Sequence, residues 1–310
     1  MEYHLPVMLD ECIEGLNLRP DGTYVDVTFG GGGHSRAILE RLGSEGRLLA
    51  FDQDGDAEEC ARVLARECGG ESFTFIHENF RYLKSFLRLQ GVRSVDGILA
   101  DLGVSSHQLD EGARGFSTRF EGELDLRMDR RQELTARTLV NTADEGELTR
   151  LFRLYGELPN APQLARAIVR RRAEQEIVTT FDLREAVSHH LPRGKENKFL
   201  AMLFQSLRIE VNGELEALQA MLKQATELLT PGGRLVVMSY HSLEDRLVKN
   251  YMKTGNFEGV PEKDFYGNLV APLTPVVRKA VTASEEELMR NPRARSAKLR
   301  VAEKRGEMVC

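Results

Sequence analysis

VDVTFGGGGHS, residues 25–35, is the stretch on which the fold turns: a β-prone run closes on four glycines, and HSRAILERL (34–42) follows with its apolar residues at helical spacing. Glycines just past a strand let the backbone approach a ligand where a Cβ would obstruct it, so strand, tight turn and helix together predict a nucleotide-type loop. Two common identities fail. The dinucleotide fingerprint GxGxxG needs its third glycine where Ser35 or Arg36 stands, and a P-loop needs a Lys-Ser/Thr pair that does not follow the glycines. S-adenosylmethionine remains as the common ligand of such a loop. A glycine-rich hairpin tip is the competing reading, and the strand and helix flanks disfavour it.

The same alternation runs outward from this loop. RLLAFD (47–52) precedes a helix over 56–67, FTFIHENF (73–80) precedes the amphipathic YLKSFLRL (82–89), and VDGILADLG (95–103) follows. Four strands separated by helices predict a parallel sheet. A fifth unit comes much later: the amphipathic ELEALQAMLKQATELL (214–229) stops at TPGG, and the strand RLVVMSYHS (234–242) follows. The gap between Asp101 and Arg234 far exceeds one crossover helix, so something is inserted. Residues 112–210 read as helices, with a capping-box pattern at Thr142 and Glu145 before LTRLFRLYG, then LARAIVRRRAEQ and FLAMLFQSLRIEV. The predicted organisation is an α/β domain over 1–111 and 211–310, interrupted by an all-helical domain over 112–210. Two late β-prone runs, PVVRKAV (275–281) and AKLRVAEK (297–304), are expected to form an antiparallel edge.

Composition narrows the class. The 310 residues are 41% hydrophobic, enough for real cores, and 42 basic against 48 acidic residues exclude a uniformly basic polyanion-coating protein. No apolar run approaches the roughly 18 residues that span a bilayer, and MEYHLPVMLDE lacks a basic region followed by an apolar one, so a soluble cytoplasmic protein is expected. Cys12, Cys60, Cys68 and Cys310 show no metal-ligand or disulfide spacing, and no metal is expected.

Several side chains stand where ligand chemistry belongs. Asp52 lies about 20 residues beyond the glycines, the spacing at which a carboxylate accepts from ribose hydroxyls, with a helix N-cap as the competing role. Phe80, past the third strand, is placed to cover an adenine or to pack in the core. Asp101 closes the fourth strand at the sheet edge where ligands sit, and Ser105, Ser106 and Gln108 follow it with polar groups. Tyr240 and His241 end the fifth strand at that same edge, where a packed histidine is the competing reading of His241. Between Arg278 and Arg305 nine Lys/Arg face four Glu, and with Arg170, Arg171 and Arg172 they offer phosphate-neutralising patches; a solvated, Glu-paired face is the alternative.

At this point the chain resembles a known family, the MraW or ribosomal RNA small-subunit methyltransferase H family of bacterial cytosine-N4 methyltransferases. The likeness rests on HLPVMLDE (4–11), DVTFGGGGHS (26–35), FDQD (51–54), DGILADLGVSSHQLD (96–110), RGFS (114–117), LDLRMD (124–129), FQSLRIEVNGEL (204–215), LTPGGRLVVMSYHSLEDR (229–246) and NPRARSAKLR (291–300). It implies a class I S-adenosylmethionine-dependent methyltransferase, a Rossmann-like sheet with an inserted helical substrate domain, acting on a cytidine in the decoding region of 16S rRNA. The resemblance places the donor on Gly32, Gly33, His34, Asp52, Phe80, Asp101 and Gln108; His34 comes from the resemblance alone. The chain departs from the family at His107, where proline is common, and Gly31 fills a variable slot.

Amino methyltransferases generally carry an Asp/Asn-Pro-Pro-aromatic tetrad after the fourth strand, and here it reads Asp101-Leu102-Gly103-Val104. The aromatic lid is therefore expected from Phe116 or Tyr240 stacking on a splayed cytosine, with Asp101 or a nearby carbonyl accepting from its amine. Two rivals stand beside this reading: a donor-binding ribosome-assembly factor that transfers nothing, and a methyltransferase with a different acceptor.

Overall fold

Apolar residues at consecutive strand positions, rather than at alternate ones, mark strands covered on both faces, and the computed structural model of the chain shows that arrangement. It describes residues 6–68 and 70–306, so His4 and Leu5 of the HLPVMLDE block, and Cys310, lie outside the described residues. Seven strands form one sheet: β1 (Thr23–Asp26), β2 (Arg47–Asp52), β3 (Phe73–His77), β4 (Val95–Asp101), β5 (Leu229–Ser239), β6 (Leu273–Pro275) and β7 (Lys298–Lys304), in the order β3-β2-β1-β4-β5-β7-β6. The first five in that order pair parallel, while β7 runs antiparallel to β5 and β6 antiparallel to β7.

The period-two alternation sorts the strand side chains onto two cores. Val25, Leu49, Phe51, Ile98, Ala100, Leu235 and Val237 meet the helices Leu83–Leu89, Glu214–Leu228 and Ser242–Thr254. Tyr24, Leu48, Ala50, Leu99, Val236 and Met238 meet Leu9–Leu16, Gly33–Leu39 and Ala57–Glu67 on the other side. Each fully buried leucine or phenylalanine contributes about 1.5–3 kcal/mol by leaving water, which fixes the register of every strand. The order reverses between β1 and β4, and parallel strands that part at such a point leave a crevice at their C-terminal ends.

The chain divides into two compact units, Met1–Gly103 with Leu215–Cys310, and Val104–Glu214. The second is helical and wider than the expected 112–210, because Val104 and Leu109 already pack on its core and the helix Glu196–Asn212 runs on to Gly213, whose φ of 56° ends it. Its core gathers Leu148, Leu151, Phe152, Leu164, Ile168, Leu203 and Leu207.

Three local expectations change. The helix Glu145–Leu154 is capped not by Thr142 but by Asp144, whose carboxylate accepts from the Glu147 N–H at 2.7 Å; Thr142 ends the previous helix with its hydroxyl bonded to the Thr138 carbonyl. TPGG is not a free turn before β5 but a bulge within it, where Val95 pairs Leu229 and Gly97 already pairs Arg234. The edge expected from 275–281 is shorter: β6 stops at Pro275, and Val281 returns as a single bridge to Leu299.

Candidate active site

The glycine loop is held from inside the protein. Gly30 has φ 52° and its N–H donates to Asp52 Oδ2 at 2.7 Å, while Asp52 Oδ1 accepts from the Asp54 N–H at 2.9 Å. Gly32 has φ 79°, and a Cβ there would meet the Phe29 ring at 2.7 Å; a Cβ on Gly33 would meet Pro6 at 2.9 Å. These two glycines are thus demanded by the chain's own packing as well as by any ligand. At Gly31 a Cβ would meet nothing within 4 Å, so that position opens onto free space.

Three carboxylates end three neighbouring strands. Asp26 closes β1, buried and accepting from the Ser35 hydroxyl at 2.8 Å and the Thr28 N–H at 3.1 Å. Asp52 closes β2, and Asp101 closes β4 with its N–H on Thr28 Oγ1 at 2.6 Å. Burial pushes each of the three up to about 6, because ionised oxygens are losing water there. No lysine or arginine pairs with any of them among the described residues. A cluster of desolvated carboxylates without its own cation suits a ligand that brings one, and the adenosyl sulfonium with its ammonium does so.

His34 lies in the wall of this crevice. Burial lowers its pKa and keeps the ring neutral, so the contact of Nε2 with the Val7 carbonyl at 3.2 Å makes Nε2 the protonated nitrogen. The bare Nδ1 then faces Asp101 Oδ2 at 3.9 Å. On the other side of Asp101, the Tyr240 hydroxyl donates to Oδ1 at 2.7 Å, and the Tyr240 ring packs on Gly103, where a Cβ would come within 3.3 Å of it. Burial and the Asp101 charge both raise the Tyr240 phenol far above its usual range, so it stays a donor.

The remaining candidates take more ordinary places. Phe80 opens the short turn Phe80–Tyr82, partly buried against the sheet core, with Asn79 as its cap. His241 caps the helix Ser242–Thr254: Glu244 Oε2 accepts from the Tyr240 N–H at 2.9 Å and the His241 N–H at 3.3 Å, and Glu244 Oε1 lies 3.1 Å from His241 Nε2. Gln108 and Phe116 belong to the helical unit. Gln108 is buried and closes a capping box with Ser105, its Oε1 accepting from the Ser105 N–H at 3.0 Å. Phe116 is in that unit's core with the Arg114 guanidinium 5.7 Å over its ring, and Arg114 also binds the carbonyls of Arg127 and Met128. Asp26, Ser35 and Thr28 were not singled out from sequence, although Asp26 closing the first strand was the available signal.

The basic patches separate sharply. Arg170 pairs with Glu174, Arg171 with Glu185, and Arg172 caps the carbonyls of Val140 and Ala143, so the helical trio is engaged within its own unit. Lys298 and Arg300 share Asp245, Arg290 pairs with Glu286, and Lys304 and Arg305 bind oxygens of the fold. Arg278, Lys279 and Arg295 are exposed and pair with no other described residue.

A parallel sheet in the order 3-2-1-4-5 with an antiparallel pair on its far edge, and a glycine loop after β1, make the class I methyltransferase fold. The sequence profile of the MraW methylase family matches residues 1–305, and the chain belongs to that family. It is 57% identical over 305 residues to the ribosomal RNA small subunit methyltransferase H of Bacteroides thetaiotaomicron, and 55% identical over 304 residues to that of Flavobacterium johnsoniae, each alignment covering 98% of both chains. Among solved structures, an rRNA methylase from Streptococcus thermophilus matches 96% of this chain and 94% of its own at 12% identity, with a TM-score of 0.44. Among the described residues no helix is long and apolar enough to cross a membrane.

Proposed function

We propose that the protein methylates N4 of a cytidine in the decoding region of 16S rRNA, within the small ribosomal subunit, with S-adenosylmethionine as donor. The observation that carries this is the row of cation-hungry carboxylates at the ends of β1, β2 and β4, beside a glycine loop that opens at Gly31. When bound, the donor would supply an electrophilic methyl on a positive sulfur: the S–CH3 bond breaks as the N–CH3 bond forms, the sulfur leaves as a neutral thioether, and the methylated amine sheds its surplus proton to water.

Gly32, Gly33 and His34 shape one wall of the donor site, Asp52 offers its oxygens to the ribose hydroxyls, and Phe80 borders the adenine. The exocyclic amine of cytosine is a weak nucleophile because its lone pair is delocalised into the ring. Asp101 answers that: an ionised oxygen accepting from the amine N–H localises the lone pair and orients it toward the methyl, work of several kcal/mol in comparable sites. Exposed Arg278, Lys279 and Arg295 supply phosphate contacts.

The test is label transfer. Tritiated donor, the purified protein and small subunits from cells lacking it are expected to leave N4-methylcytidine counts in the rRNA. Donor binding without counts would establish an assembly factor instead, and counts in another acceptor would redirect the reading. Activity that falls steeply with salt is expected of a polyanion substrate.

A further inference from the structure

The corner after β5 holds more than a strand end. Glu244 fixes the backbone there through the Tyr240 N–H at 2.9 Å, Gly103 without a Cβ clears room for the Tyr240 ring, and the hydroxyl ends 2.7 Å from Asp101 Oδ1. The contact joins residues 139 positions apart, across the β4–β5 pair. Asp101 itself is anchored from the β1 side by its N–H on Thr28 Oγ1. Its two oxygens are therefore inequivalent: Oδ1 is taken by a phenol, and among the described residues Oδ2 faces only the bare Nδ1 of His34 at 3.9 Å.

We infer that Tyr240 is a positioning residue for methyl transfer, which occupies Asp101 Oδ1 with its hydroxyl and thereby presents Oδ2, in its ionised form, to the reacting groups. This deepens the reading of Asp101 given above and rests on it. A hydrogen bond to the charged form of a carboxyl favours that form, and a bond to one oxygen fixes the carboxylate plane. The groups facing Asp101 leave few substitutes for this role. Asp26 from β1 and Glu244 from the helix Ser242–Thr254 both disfavour its charge, Cys12 from Leu9–Leu16 is a buried thiol held protonated, and His34 is neutral. Tyr240 is the donor on the site side. A hydroxyl engaged in this way also distinguishes Tyr240 from a ring that only stacks on the base, because stacking needs no hydroxyl.

Tyr240→Phe separates the two. The acid limb of the pH profile of kcat/KM for the donor reports the free enzyme, and in the unmutated protein it is expected near pH 6. Loss of a charge-assisted hydrogen bond moves that limb up by about one unit, so Y240F is about fivefold slower at pH 6 and converges on the parent above pH 8. Tyr240→3-fluorotyrosine keeps the ring and donates more strongly, so it moves the limb the other way and guards against a phenylalanine variant that fails to fold. Superimposable profiles for Y240F, or an equal loss at every pH with a lower melting temperature, would overturn the assignment. If the unmutated protein transfers no methyl to rRNA, the underlying function fails instead; if it does and Asp101→Asn is fully active, Tyr240 has nothing to position and the inference falls with Asp101.

Discussion

Donor binding should tighten as pH rises, and Asp101 sets the scale. Its side chain is 22% exposed, and burial holds the carboxyl at about 6 instead of 3.8, with the Tyr240 hydroxyl pulling the other way. A sulfonium or ammonium at the site restores the charged form and returns the pKa toward its ordinary value. At pH 5 roughly nine-tenths of the free protein then carries a protonated Asp101 that must lose its proton to bind, and at pH 7.5 almost none does; the linked affinity rises about tenfold between the two. The stability of the donor-free protein moves the opposite way. The unfolded carboxyl ionises from 3.8 while the folded one waits until about 6, so the folded state binds more protons in that window and stability falls as pH rises through it, by about 3 kcal/mol for a shift of this size. Titration calorimetry of S-adenosylmethionine at pH 5.0 and 7.5, on the parent and on Asp101→Asn, measures this. The parent should show the tenfold gain and the variant a much smaller one; equal affinity at both pH values in the parent would refute the reasoning, because no carboxyl would then be releasing a proton to the ligand.

Other consequences are more local. Gly32→Ala forces a Cβ into the Phe29 ring at a φ of 79°, and should lower stability by about 1–3 kcal/mol in a denaturant titration, with loss of donor binding measured at temperatures where the variant is folded. Arg208→Ala strips the bidentate partner, at 2.8 and 2.9 Å, from the nearly buried Glu214 and should destabilise the helical unit by about 3–5 kcal/mol, whereas Arg208→Lys, which keeps the charge without the fork, should lose less. Arg278→Glu combined with Lys279→Glu should weaken rRNA binding and flatten the log K against log salt plot by about two contacts' worth, while Arg170→Glu, already paired with Glu174, should change that slope little.

Elements built from short-range chemistry were legible in the chain. Glycines after a β-prone run, continuous apolar strands and a connection too long for one crossover are each local or countable, and they yielded the parallel sheet, the glycine loop and a helical insert. The places of Asp52 and Asp101 at the ends of β2 and β4 were legible for the same reason, since strand ends in a parallel sheet converge on one edge wherever their residues stand in the sequence. The cap at Asp144 was missed because Thr142 and Asp144 offer competing oxygens, and only the helix axis selects between them. The Arg170–Arg172 run had the charge of a phosphate patch, but of its partners only Glu174 stands on the same helix, and Glu185, Val140 and Ala143 come from elsewhere in the helical unit.

The sequence by itself determined the main strands and helices, where the glycine loop lies, and the kinship of the whole chain, because these depend on side-chain period, backbone freedom and identity at fixed spacing. Only the tertiary structure decided which carboxylates lack a cation, that Tyr240 holds one oxygen of Asp101, and that Phe116 is buried in the helical core. Desolvation and hydrogen bonding depend on which surfaces meet across the fold, and that pairing is set by packing between segments far apart in the chain, 139 positions in the case of Tyr240 and Asp101.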